Sequence, residues 1–169
     1  MITTDWVRMM AAYNAEMNRR LYGAADTLTE AQRRENRGAF FGSIHATFSH
    51  ILWGDSVWMG RFAGWDVPKV GIPDSASLHG DWEKLKRDRV AFDARIEGWA
   101  ASLDPAWLEG SLGWYSAALQ RDVTRPRVML VTHFFNHQTH HRGQAHALLT
   151  GFGAKTGDTD LPFIVEPPV

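Results

Sequence analysis

Between Val128 and Thr150 the chain sets large apolar residues and histidines on one helical face, and this narrows what it can fold into. On a wheel turning about 100° per residue, Leu130, Phe134 and Leu148 mark the middle of an apolar stripe. His137 and His141 fall on that middle, roughly 40° apart on the same wheel. His133 and His140 lie on one flank, and His146 faces the far side. Two imidazoles one turn apart and directed into a core need either hydrogen-bond partners or a metal ion that takes a third ligand from elsewhere.

Three other segments carry helical apolar spacing. The first opens at Thr4 or Asp5 as a cap and runs to about Gly23, with Trp6, Met9, Met10, Tyr13, Met17 and Leu21 inward and Asn14 and Asn18 beside them. Thr29-Glu-Ala-Gln32 is a capping box that starts a short helix, and Arg33 to Arg37 reads as a charged, solvated connection. The second long helix follows Gly42 or Ser43 as its cap, with Ile44, Phe48, Ile51, Leu52, Asp55, Trp58, Met59 and Phe62 on one face. His45 and His50 flank that face on opposite sides, and the wheel does not choose between them. Gly64 to Ser77 is a glycine- and proline-bearing loop.

Ser77 caps the third long helix over about 78–102, where Trp82, Leu85, Val90, Phe92, Ile96 and Trp99 are apolar. Lys84, Lys86, Arg87, Asp88, Arg89 and Glu97 read as its solvated face, and His79 as a surface residue. The stretch from Asp104 to Thr124 is extended or irregular, with a short hairpin as one form. Thr124 then caps the last helix, with Pro126 early in it and Gly151 at its end. Residues 152–169 form a tail in which Leu161, Phe163, Ile164 and Val165 pack back. The fold expected is all-α: a single domain over 1–169, a four-helix bundle with an irregular or hairpin segment before the last helix.

Composition removes several functions. The formal net charge is −1, so no basic surface argues for nucleic acid. No run of about 18 apolar residues spans a membrane and the N-terminus lacks a signal-peptide pattern, which makes the cytoplasm the expected location. Cysteine is absent, leaving a metal site to nitrogen and oxygen ligands and any sulfur nucleophile to an outside molecule. Eight tryptophans in 169 residues suggest packing around a cavity or a partner surface.

Three phrases carry a resemblance to a known family. They are Tyr13-Asn-Ala-Glu-Met-Asn-Arg-Arg-Leu21, Phe40-Phe-Gly-Ser-Ile-His-Ala-Thr-Phe-Ser-His-Ile-Leu52 with Trp58 after it, and Asn136-His-Gln-Thr-His-His-Arg-Gly-Gln144. Over nearly its whole length the chain resembles the DinB family of damage-inducible, metal-binding four-helix proteins. The resemblance implies a divalent metal held by one histidine of the second long helix and two of the fourth: His50, His137 and His141. It thereby selects His50 over His45.

Three neutral imidazoles would leave zinc, nickel or another divalent ion its full charge and an open position. Candidates to hold the outer imidazole nitrogens are Asn14, Asn18, Asp55, Asn136 and Gln144. Gly143, in mid-helix, suggests close approach of another helix. Similar proteins include transferases and isomerases that use low-molecular-weight thiols. The function expected is therefore a metal-dependent enzyme that activates a thiol cofactor or water toward a small-molecule substrate, with Glu16 and Asp55 as the candidate acids or bases. The alternative is a non-catalytic, metal-binding homodimer of a stress response.

Overall fold

Thr3 opens the first helix: its Oγ1 accepts from the Trp6 amide at 3.2 Å, and α1 runs Thr4–Asp26. The cap thus lies one residue before Thr4, and Asp5 sits in the first turn, where a carboxylate complements the helix dipole. The computed structural model describes residues 1–166; Pro167 and Pro168 of the tail lie outside the described residues.

The Thr29 capping box forms as expected, with Oγ1 accepting from Gln32 N at 3.2 Å, and opens α2, Glu30–Arg34. Arg33 is not a solvated connector. Its guanidinium lies 4.8 Å from the Trp82 ring centroid, and its Nη1 donates to the Ala25 carbonyl at 3.2 Å. Ser43 caps α3, Ile44–Ala63, which ends at Gly64 with φ 70°, the left-handed geometry that glycine adopts without strain. Inside the expected loop, α4 makes a single turn, Ile72–Ser75.

Asp81, not Ser77, caps α5, Trp82–Ala101, by accepting from Lys84 N at 2.6 Å. After the one-turn α6, Pro105–Leu108, the chain forms an antiparallel hairpin of β1, Ser111–Ser116, and β2, Arg121–Pro126. Thr124 pairs with Gly113 in this hairpin and caps nothing, so α7, Arg127–Gly151, starts directly after Pro126. In the tail, Leu161, Ile164 and Val165 are half-buried, but Phe163 is 81% exposed.

The long helix α1 packs against α5 and α7, and α3 packs against α7 and α5, closing a four-helix bundle. No helix among the described residues is long and apolar enough to cross a membrane. All eight tryptophans are buried or half-buried within the one chain. Two apolar clusters fill the interior, one around Leu21, Phe48, Leu85 and Leu149, the other around Val7, Met59, Ile96 and Phe134. Burial of each such side chain is worth roughly 1.5–3 kcal/mol.

A polar layer drawn from all four long helices accompanies them. Arg89 donates to Asp55 at 2.6 Å and to Asp93 at 2.7 Å. Asn18 and Asn14 donate to Asp93 at 3.0 and 3.2 Å, and Gln138 donates to Asp55 at 2.9 Å. Arg142 donates to the Asn14 side-chain oxygen. Arg89, placed by sequence on the solvated face, is 2% exposed, whereas Val90, placed in the core, is 68% exposed. The buried stripe of α5 is Leu85, Arg89, Asp93, Ile96 and Ala100, at proper helical spacing but interrupted by two charges. Those charges are tolerated because each finds opposite charge or amide partners.

Candidate metal centre

At the α3–α7 contact, His50, His137 and His141 bring one nitrogen each to within 4.8 Å of one another. His50 and His141 are buried and His137 is half-buried. The Nε2 atoms of His50 and His137 stand 3.2 Å apart. A tetrahedral ion bound at about 2.0–2.1 Å separates its nitrogen ligands by roughly 3.3 Å, so this pair already has ligand spacing.

The outer nitrogens decide which way the inner ones face. Ser75 Oγ gives its hydrogen to the Ile72 carbonyl at 2.7 Å, so toward His50 Nδ1, 2.8 Å away, it acts as acceptor. His50 is thereby the Nδ1–H tautomer, with the Nε2 lone pair turned inward. Gln144 does the same for His141: its Oε1 accepts from Nδ1 at 2.8 Å, while its amide nitrogen lies 3.3 Å from His140 Nε2. His137 Nδ1 is buried and has no hydrogen-bond partner among the described residues.

Burial disfavours protonation of all three rings. Desolvation, with the neighbouring His141, lowers His50 to about 4; desolvation, with the other histidines, lowers His137 to about 3; His141 moves down for the same first reason. Three neutral imidazoles that converge, two of them with the inner lone pair fixed from outside, are suited to a cation. The donor set fits a divalent ion.

The elements around the cluster explain its shape. Gly54, one turn after His50, leaves the space that the His137 ring fills; a Cβ there would lie 2.8 Å from His137 Cε1. Phe41, from the bend before α3, stacks on His50 with centroids 3.8 Å apart, and Trp53 stands on another side at 5.5 Å. Ser49 ties the α4 strap to α3 by donating to the Ser75 carbonyl at 2.7 Å.

The other candidates lie elsewhere. His45 is held by the His79 carbonyl, 2.6 Å from its Nε2, and is not part of the cluster; His79 itself is half-buried. Of the five proposed imidazole partners only Gln144 serves. Asn14, Asn18 and Asp55 are committed to the polar layer, and Asn136 is exposed. Glu16 is paired with Arg19 and Arg20 at 2.6 and 2.7 Å, and these pairings, Arg19 first, lower it to about 2. His133 and His140 are exposed, and His146 rests half-buried near Thr156. Gly143 meets no close helix: a Cβ there has nothing within 4 Å.

The close approach belongs to Gly54 instead. Its signal was present in the sequence, a glycine on the same helical stripe as His50. Ser75 had no such signal, because only the folded strap brings it to the site.

Compared with known proteins, the sequence matches the model of the DinB family over residues 1–167. The chain belongs to the DinB family. No curated protein matches it. Among solved structures it is similar to YfiT from Bacillus subtilis, described as a probable metal-dependent hydrolase with an unusual four-helix bundle topology. The match has a TM-score of 0.65 at 12% identity and covers 92% of each chain. At that identity the likeness establishes the shared fold.

Proposed function

We propose that His50, His137 and His141 hold one divalent ion, zinc or nickel, and that this DinB protein uses it to activate a small thiol or water against an electrophilic small-molecule substrate. The observation that carries this reading is the convergence of three neutral imidazoles, of which His50 and His141 have their inner nitrogens turned to the cluster by Ser75 and Gln144. An ion bound by three neutral nitrogens acts as a strong Lewis acid and draws the pKa of a water or thiol toward neutrality.

The chain's own residues supply the rest. Ser75 and Gln144 hold the tautomers, and Phe41 and Trp53 exclude water from the His50 side. The absence of cysteine makes any sulfur nucleophile an external thiol. The hydrolytic branch is supported by the fold shared with YfiT, a probable metal-dependent hydrolase. Elemental analysis is expected to find about one divalent ion per chain, lost in His50→Ala, His137→Ala and His141→Ala and kept in His45→Ala. Retention of the ion in His50→Ala would overturn the assignment.

A second reading is a metal-binding stress-response homodimer in the cytoplasm, without turnover. It is favoured by one observation: both carboxylates considered as acid or base, Glu16 and Asp55, are engaged by arginines. Light scattering tests the dimer. Titration of the cobalt-loaded protein with small thiols tests the chemistry, since a bound thiolate adds charge-transfer absorption.

A further inference from the structure

Arg61 stands on the same stripe of α3 as His50 and Gly54, within about 40° on the wheel. It follows Gly54 by two turns, about 10 Å along the helix axis, and His50 by about 16 Å. Its guanidinium lies 4.5 Å from the Trp58 ring centroid and 5.2 Å from that of Trp114, which the hairpin contributes. Trp58 in turn meets His133 edge-on at 5.1 Å, and the His133 ring is 5.9 Å from His137. A continuous aromatic wall therefore leads from the histidine cluster to Arg61.

Arg61 is half-buried, and among the described residues it has no carboxylate partner. Other arginines set into the fold are provided for: Arg89 by Asp55 and Asp93, Arg142 by the Asn14 side chain, Arg33 by carbonyls. A guanidinium fixed between two indole rings loses hydration and rotamer freedom in advance, and its planar fork then suits a carboxylate.

We propose that Arg61 is the acid-recognising residue of this site, and that the ligand class is a thiol carrying a carboxylate some 10–16 Å from its sulfur. The carboxylate seats on Arg61, the chain of the ligand lies along the wall of Trp58 and His133, and the sulfur reaches the cluster of His50, His137 and His141. This inference rests on the metal reading above.

The test uses cobalt-loaded protein, following thiolate charge-transfer absorption with 8-mercaptooctanoate, 8-mercaptooctanol, 3-mercaptopropionate and 3-mercaptopropanol. A charged hydrogen bond to a carboxylate is worth enough for a preference on the order of 10-fold. The long acid is expected to bind tighter than the long alcohol by that factor, while the short pair, unable to reach Arg61, shows none. Arg61→Gln erases the preference, Arg61→Glu reverses it, and Arg61→Lys, which keeps the charge and the stacked stem, retains part of it.

Equal binding of acid and alcohol in the parent protein, or a preference that survives in Arg61→Gln, overturns the role of Arg61 and leaves the metal reading standing. If no thiol, alcohol or acid, perturbs the cobalt spectrum, the metal–thiol reading fails and the Arg61 inference falls with it.

Discussion

Gly54 lies against the ring of His137, so that a single methyl group at position 54 would come within 2.8 Å of Cε1 and 3.4 Å of Nδ1. Replacing this glycine sets two effects against each other. Alanine gains about 1 kcal/mol of helix propensity, while overpacking costs typically about 1–3 kcal/mol. Gly54→Ala is expected to change stability little but to turn His137 away from His50. Competition with a chelator should show divalent-metal affinity reduced by roughly an order of magnitude or more, and unchanged affinity would mean that the ring has room elsewhere.

Ser75 and Gln144 fix the tautomers of His50 and His141 from outside. Ser75→Ala and Gln144→Leu should each weaken metal binding about 10–100-fold with the helical circular dichroism retained. Gln144→Glu, which keeps an acceptor, should lose far less than Gln144→Leu.

Arg89 and Arg87 stand two residues apart on α5 with opposite fates. Arg89 joins two buried carboxylates, and Arg87 is exposed. Arg89→Met strands Asp55 and Asp93 and should cost about 3–5 kcal/mol, a large share of the roughly 5–15 kcal/mol that holds a domain together. Arg87→Met should fall within about 0.5 kcal/mol of the parent. Urea unfolding of the two variants compares them directly.

Acid should destabilise the metal-free protein through its histidines. His50 and His137 drop from 6.5 to about 4 and about 3, first because burial disfavours their charged forms. Below pH 6.5 the unfolded chain therefore takes up protons that the folded chain refuses. Stability is complete above that value and declines as pH falls through about 4 and about 3. Thermal melting across this window should show a loss that is smaller in His137→Leu.

Helix identity and the histidine pair were legible from the chain alone. Apolar residues at helical spacing leave few alternatives, and His137 and His141 share a face by local geometry, whatever they meet. The Thr29 capping box and the Ser43 cap are equally local, each closing within three residues. Resemblance, not periodicity, separated His50 from His45, since both flank the α3 face.

Contacts between distant segments had to come from the fold. Arg89 looks like a surface residue until α3 supplies Asp55, and Ser77, read as the cap of α5, instead donates its hydroxyl to the Asp74 carbonyl while Asp81 caps the helix. Gly54, not Gly143, makes the close approach because α7 lays His137 across α3 at that turn. Side-chain periodicity is a property of one helix and can be read along the chain. Which buried polar group is satisfied, and by whom, depends on pairs of atoms from segments tens of residues apart, and only the packed bundle brings them within reach.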